Sequence, residues 1–537
     1  MAFAPNGNAA HNSSGATSAT SASGNPANGN AGGNKASSGD DATLDLTRAD
    51  RRWLAAFHDR PMFPENFGAG EALDADGDGT WDDWQTFYLG ARRWVEYLKY
   101  AGYNTAVVSV ACEGSAIYPS RLLEPTPKYD SGTFFLGGQD PIRKDVLEML
   151  FRLFNREGLR LVPAIQFATP LPELERYRRT ESGAGDELRW IGASGQTWLE
   201  QFPSNRGLAP HYNLLHPRVQ EAMLNVVAEL EDRYGTHASF GGLALQLGPD
   251  TYAQSPGPAW GFDDQTIARF SEDTGMSLAG GGATRFADRS RYLLGDGRAK
   301  WLAWRAAKQT EFYSVVRQLV ARRQTDAKVL LAASDLLTSS AVQHALRPSL
   351  ASRPSSGDVL LGVGLDPKRI DELSGVTLLR PHRTAPLLTL APQGANVEWN
   401  RSSDIDRLFA GKQPTGSLWH HEPLTMEVPS FDAASPFGAE QTHVWLAAHI
   451  APAGAANRQR LAHSLAASDA ATVVDGGWLL PLGQEDSTRG AFRTFSQLPA
   501  VRFQNVPIRS EPGGGQPLVM RTAVSGEWTF AYVVNDS

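Results

Sequence analysis

The chain has 537 residues, enough for an enzyme barrel with long loop insertions, and its formal net charge is -8. This acidic balance provides no basic surface for nucleic acid or an anionic membrane, and no run of eighteen apolar residues predicts a membrane span. Cys112 is the single cysteine, which excludes an internal disulfide and a thiolate metal cluster.

Residues 1–44 are dominated by Asn, Ser, Gly, Ala and Thr. Such a segment buries too little apolar surface to offset the entropy of ordering, so it is predicted to be a disordered linker. Linkers of this composition usually join two domains or follow an anchor. We therefore expect the chain to be part of a longer protein.

An acidic motif follows, in which Asp74, Asp76 and Asp78 alternate before Gly79. This spacing matches the first half of a calcium-binding loop, but Gln85 stands where a bidentate Glu is needed. Calcium binding and a simple acidic turn before a helix both remain open.

Residues 45–500 alternate short apolar segments with segments of helical periodicity. The predicted strands are Thr105–Ala111, Leu159–Gln166, Leu243–Leu247, Val329–Ala333, Val359–Val363, Val376–Leu379, Ser417–His420 and Ala471–Val474. The predicted helices are Arg143–Asn155, Val219–Tyr234, Lys300–Arg323, Ala341–Leu346, Lys368–Leu373, Asp404–Phe409, Glu440–His449 and Thr488–Ser496. Eight alternations indicate an α/β fold, a (β/α)8 TIM barrel.

Residues 501–537 have a different pattern, because two β-like segments flank a Ser525-Gly526 turn between Pro517 and Val534. Two strands are too few for a domain. We expect them to begin a β-sandwich-like domain that continues beyond this sequence.

Several motifs resemble the glycosyl hydrolase-like ten family, whose members are glycosidase-like (β/α)8 barrels of bacteria. The resemblance covers roughly residues 95–380 and is carried by Gly195–Trp198, Asn213–Val219, the Gly-Gly-Leu-Ala-Leu strand at 241–245 and Trp301–Arg305. It implies a carbohydrate substrate and an exported or cell-envelope location. The chain departs from the family where that family has paired acids, since Gln246-Leu247-Gly248 occupies that position and Asp250 stands further along the loop.

Carboxylates just past strand ends are the candidate catalytic residues, because glycoside hydrolysis needs two carboxyl groups facing each other across the scissile bond. Asp250, after the strand at 243–247, is the candidate acid. Glu422, after the seventh strand, and Asp475, after the eighth, are candidates for base or nucleophile. Asp475-Gly476 also matches a plain turn.

Aromatic and polar residues near the same strand ends could bind sugar rings and hydroxyls. The candidates are Tyr252, Trp260, Arg380, His382, Trp419, His420 and Trp478. The sequence contains no nucleotide-binding or zinc-protease motif, so neither a cofactor nor a metal is expected among these site residues.

These observations predict a glycoside hydrolase acting on a polysaccharide or cell-wall glycan. A non-catalytic carbohydrate-binding or surface-scaffold protein on the same barrel is the alternative, and a lyase or amidase is a third possibility. The sequence leaves the oligomeric state open.

Overall fold

A computed structural model describes residues 50–60, 67, 84–112, 114–125, 145–180, 187–203, 207–278, 281–334, 336, 342, 346, 354–384, 400–421, 424–428, 443–447, 454–477, 480, 482–483, 485–508 and 518–536. Several predictions concern residues outside these ranges. They are the linker 1–44, the calcium motif at Asp74, Asp76 and Asp78, most of the helix 341–346, and the site residues Glu422 and Trp478.

Eight parallel strands of the described chain close into a barrel. They are β1 (Trp53–His58), β2 (Thr105–Cys112), β3 (Arg160–Ile165), β4 (Gly242–Gln246), β5 (Lys328–Ala332), β6 (Val376–Thr384), β7 (Thr415–His421) and β8 (Ala470–Gly477). Each strand pairs with its neighbour in sequence order, and β8 pairs with β1 to close the ring. The predicted (β/α)8 barrel is confirmed.

The described helices are α1 (Trp84–Ala101), α2 (Val146–Glu157), α3 (Pro172–Thr180), α4 (Trp198–Gln201), α5 (Pro217–Tyr234), α6 (Asp264–Thr274), α7 (Arg285–Leu294), α8 (Arg298–Val320), α9 (Ser356–Gly362), α10 (Pro367–Asp371), α11 (Ser403–Phe409), α12 (Gly454–Ser468) and α13 (Glu485–Ser496). Local sequence explains several of their ends. The Asp145 side chain caps α2, which Gly158 ends in the left-handed conformation, and His216 caps α5 before Pro217. None of the described helices has the length and apolar character needed to cross a membrane.

One predicted strand is wrong, and one real strand was missed. Residues Val359–Val363 mostly belong to α9, because Ser355 and Asp358 form a capping box that starts a helix there. The missing strand is β1, a fully buried segment of six residues. The total of eight strands is therefore right with one member exchanged.

The predicted helix Glu440–His449 is also wrong. Residues His443–Ala447 form a strand that pairs antiparallel with Leu424–Val428. The run Val444-Trp445-Leu446 combines a β-branched and an aromatic residue, which favours a strand once a partner strand is present.

Alternate residues of every barrel strand fill the lumen. This inner cluster consists of Trp53, Ala55, Phe57, Val107, Val162, Ala164, Ala244, Leu330, Ala332, Leu379, Leu418 and Val474. Because successive strand residues point to opposite faces, each neighbour of these residues points outward toward the helices. We call the two faces the lumen side and the helix side, and they decide which strand-end residues can reach the mouth of the barrel.

The C-terminal residues form a three-stranded antiparallel sheet of β9 (Gln504–Val506), β10 (Leu518–Ser525) and β11 (Trp528–Asn535). The predicted β-structure is thus present, and it packs on the barrel. The Tyr532 hydroxyl donates to Asp469 Oδ1 at 2.6 Å and lies 3.4 Å from the Leu465 carbonyl oxygen of α12, and Arg521 donates to the Ala466 carbonyl. The boundary at residue 501 stays a prediction.

His463 of α12 connects the barrel to the end of this sheet. Its Nδ1 lies 2.9 Å from Asp536 Oδ2, and its Nε2 lies 3.3 Å from Asp406 Oδ2 of α11. Burial lowers the pKa of His463, but the hydrogen bonds and charges of Asp406 and Asp536 outweigh burial and place the pKa above its ordinary value.

We expect His463 to stabilise the fold more at acidic than at alkaline pH. A folded-state pKa above the unfolded value contributes stability that is complete below the unfolded pKa and is lost as the pH rises through the folded pKa. The free energy of unfolding of the wild type should therefore exceed that of His463→Gln by up to about 1 kcal/mol at pH 5.5, and by less at pH 8.5. Urea unfolding at both pH values measures this, and an equal difference at both would contradict it.

Candidate active site

Three barrel strands place polar groups together at the carboxyl end of the barrel. Asp59 follows β1, Gln246 ends β4 on the lumen side, and His420 lies on the lumen side of β7, two residues beyond Leu418. His420 Nε2 donates to Asp59 Oδ2 at 3.0 Å, and Gln246 Nε2 donates to the Asp59 carbonyl at 3.0 Å. The Asp59 side chain is 20% exposed as a whole, while its Oδ1 is buried with no hydrogen-bond partner among the described residues, so the carboxylate is held in place at a partly exposed position.

Two glycines at the end of β8 permit this arrangement. Gly476 and Gly477 have φ values of 148° and 155°, and a Cβ on Gly477 would lie 3.1 Å from the His420 ring and 2.6 Å from the His421 carbonyl oxygen. A side chain at either position is therefore strained and crowded. The strand continues through both glycines, so the interpretation of Asp475-Gly476 as a turn is wrong.

Asp475 lies on the helix side of β8, because its neighbour Val474 is in the lumen. It is 3% exposed, and its Oδ1 and Oδ2 accept hydrogen bonds from His421 Nε2 at 2.5 Å and Tyr103 Oη at 2.8 Å. Burial raises the pKa of Asp475, but His421, Arg460 and Tyr103 outweigh burial and hold it below its ordinary value. The structure thus places Asp475 in a buried network that joins strands to helices.

Three predicted binding residues share this helix-side position. Arg380 Nε donates to Asp406 Oδ1 at 3.0 Å, and the Trp419 indole donates to Ser464 Oγ at 3.2 Å. His382 is buried, and burial lowers its pKa well below the ordinary value. These side chains face the helix layer, whereas His420 faces the mouth.

The predicted site residues in the loop after β4 differ in how far they are buried. Tyr252 is fully buried and donates through its hydroxyl to the Thr169 carbonyl. Trp260 is 8% exposed and packs against Phe202. Asp250, by contrast, is exposed on the turn that Thr251 Oγ1 closes by donating to the Gly248 carbonyl at 3.1 Å.

The sequence-based search missed Asp59. The signal was present, since Trp53–His58 is a short apolar segment with an aspartate directly after it, and the segment Leu243–Leu247 leads to Asp250 within three residues. Two further predicted residues, Glu422 and Trp478, directly follow β7 and β8 in the chain but lie outside the described residues. Within the part of the chain that the structure describes, no three His, Cys, Asp or Glu side chains form a metal-binding group.

Fold and site together define a (β/α)8 barrel with a histidine-held carboxylate at its mouth. Neither a protein-family model nor a curated protein matches the sequence, so membership of the glycosyl hydrolase-like ten family stays a proposal.

Similar solved structures are barrels of glycoside hydrolases. The PgaB (BpsB) glycoside hydrolase domain from Bordetella bronchiseptica shares 12% identity over 84% of this chain and 99% of that domain, with a TM-score of 0.47. The β-amylase catalytic domain from Paenibacillus polymyxa shares 10% over 84% and 99%, with a TM-score of 0.45. The β-galactosidase from the psychrophilic Marinomonas ef1 shares 11% over 82% of this chain and 59% of that one, with a TM-score of 0.45. These likenesses concern the fold, and no residue role is taken from them.

Proposed function

We propose that the protein hydrolyses O-glycosidic bonds of a polysaccharide or cell-wall glycan. The observation that carries this proposal is the Asp59–His420 pair, a partly exposed carboxylate oriented by an imidazole at the carboxyl end of a (β/α)8 barrel. Chemistry in such barrels is located at this end. A carboxylate in this position can act as a base or a nucleophile at a sugar carbon.

The reaction also needs a proton donor for the leaving oxygen. Two predicted carboxylates have suitable positions in the chain. Glu422 stands two residues after His420, the spacing at which an extended chain places two side chains on one face, and Asp250 stands on the exposed turn after β4. We assign Asp59 as base or nucleophile and propose Glu422 or Asp250 as the acid. Trp478, directly after β8, remains the proposed aromatic platform for a sugar ring.

Hydrolysis of a panel of polysaccharides and peptidoglycan strands tests this proposal. The wild type should release reducing ends from at least one of these substrates. Substituting the true acid, by Glu422→Gln or Asp250→Asn, should lower kcat by orders of magnitude, whereas the other substitution should have little effect. If the wild type binds a glycan and cleaves none, the hydrolase proposal is wrong.

A non-catalytic carbohydrate-binding protein is the second candidate, and one observation favours it. Among the described residues at the lumen-side ends of the strands, Asp59 is the single carboxylate, and the end of β4 carries the amide Gln246. Glycoside hydrolysis needs two carboxyl groups. Binding without cleavage in the same panel would identify this alternative.

A further inference from the structure

A cleft lies beside the mouth, between the loop that follows β4 and helix α9. It has a volume of about 260 Å³, and its walls include Pro249, Gln254, Pro256, Pro258, Arg298 and Val363. Sites for drug-sized ligands occupy roughly 300–1,000 Å³, so this cleft suits a single ring rather than a long chain. Because Pro249 stands three residues past β4, the cleft is at the same end of the barrel as Asp59.

Side chains of helix α8 hold the loop that lines the cleft in place through hydrogen bonds. Four buried side chains at intervals of four residues, Trp301, Arg305, Gln309 and Tyr313, form one stripe along this helix. Trp301 donates to the Pro258 carbonyl, Arg305 to the Gly257 and Gly362 carbonyls, and Tyr313 to the Ala253 carbonyl. Gln309 accepts from the Ser255 backbone N–H and side chain.

This stripe contains a buried cation. Arg305 is fully buried, its guanidinium lies 5.3 Å from the Trp301 ring, and burial lowers its pKa to about 9. Its Nη1 and Nη2 donate to backbone carbonyls of the two segments that flank the cleft. The Gly257 and Gly362 carbonyls are thereby hydrogen-bonded within the protein, and most of the residues that line the cleft are apolar.

Gln254, Arg298 and Asp358 are the polar side chains on these walls, and Gln254 is the one of the three that is buried. The residue is 2% exposed and lines the cleft, and its Oε1 is buried with no hydrogen-bond partner among the residues that the structure describes. Buried acceptors in native proteins nearly always have a partner. A mostly apolar cleft with a few polar side chains and one unsatisfied buried acceptor therefore has the composition of a preformed ligand site.

We propose that this cleft is a subsite that binds one neutral sugar ring of the glycan, with Gln254 Oε1 accepting a hydrogen bond from a sugar O–H or N–H. The proline rings provide apolar surfaces for the C–H face of the ring, and the half-buried Arg298 stands at the edge where ring oxygens could be contacted. The inference rests on the proposed function for its ligand class, and it adds a second binding position outside the mouth.

Calorimetric titration with cello-, malto- and chito-oligosaccharides of two to six units tests the subsite. The full chain carrying Asp59→Asn serves as background to prevent turnover. Gln254→Leu should weaken binding of the preferred oligosaccharide about tenfold, because it removes the acceptor at nearly constant volume. Val359→Trp, on the partly exposed face of α9 that lines the cleft, should fill the cleft and abolish this contribution.

Gln265→Leu is the matched control, since Gln265 also has a buried side-chain oxygen with no partner in the described part of the chain, but it lies on α6 and is not among the residues that line the cleft. It should leave binding unchanged. The subsite is refuted if no oligosaccharide binds, or if Gln254→Leu and Val359→Trp both bind like the control. Loss of binding in these two variants without any hydrolysis by the wild type would refute the proposed hydrolase and retain the subsite. If the wild type hydrolyses a glycan and neither variant changes KM at any chain length, the proposed hydrolase stands and the subsite is refuted.

Discussion

Asp59→Asn should lower kcat on the hydrolysed glycan by about 10²–10⁴-fold, the range typical for removing a catalytic base. Asparagine keeps the shape of the side chain and can still contact His420, but it cannot accept a proton or attack a sugar carbon. Because the side chain is partly exposed and follows the strand, the fold should survive. Single-turnover and steady-state kinetics on the same substrate would measure the loss.

Asp326→Asn is a suitable control for this experiment. Asp326 is exposed in the turn before β5, at the opposite end of the barrel from the mouth, and the change should leave kcat unaffected. His420→Gln should lower kcat less than Asp59→Asn does, because His420 positions the carboxylate by a hydrogen bond that glutamine can partly replace. A wild-type rate in Asp59→Asn would exclude Asp59 from catalysis and return the assignment to Glu422 and Asp250.

Asp469→Asn should destabilise the protein by about 3–5 kcal/mol, the usual effect of removing one partner of a buried ion pair. Arg52 is 0% exposed, and its Nη2 donates to Asp469 Oδ1 at 2.6 Å. Its guanidinium also lies 4.6 Å from the Phe503 ring centre, where the C-terminal sheet region meets the barrel. The substitution leaves this cation buried without its counter-charge.

Asparagine at position 469 removes the negative charge without changing the backbone conformation. Asp469 has a φ of 52°, a left-handed conformation that asparagine tolerates better than most residues, so strain should change little. Urea unfolding would measure the loss, and Asp326→Asn should stay within about 0.5 kcal/mol of the wild type. Since Arg52 and Asp469 precede β1 and β8, they lie at the amino end of the barrel, and kcat of the folded variant should be unchanged. An unfolding energy equal to that of the control would show that the pair does not hold the sheet to the barrel.

Local sequence patterns were sufficient for most of the architecture. Buried parallel strands such as Leu243–Leu247 are nearly continuous apolar runs, and amphipathic helices such as Val219–Tyr234 repeat at 3.6 residues, so both are visible without tertiary information. The prediction of a strand at Val359–Val363 was wrong because a helix as short as α9 has too few turns to show a helical period in the sequence. Trp53–His58 was missed although its pattern was the same as that of the other strands.

The sequence by itself determined the class of fold, the end of the barrel where polar residues gather, and the candidates His420 and Asp250. Only the tertiary structure decided which side each strand-end residue faces, because a shift of one residue along a strand moves a side chain from the lumen to the helix layer. That alternation places His420 at the mouth but turns Trp419 and Asp475 toward the helices. The ring closure that brings β1 beside β8 then carries Asp59 to His420, residues separated by 361 positions in the chain. No local pattern contains that contact, since it depends on the closure of all eight strands.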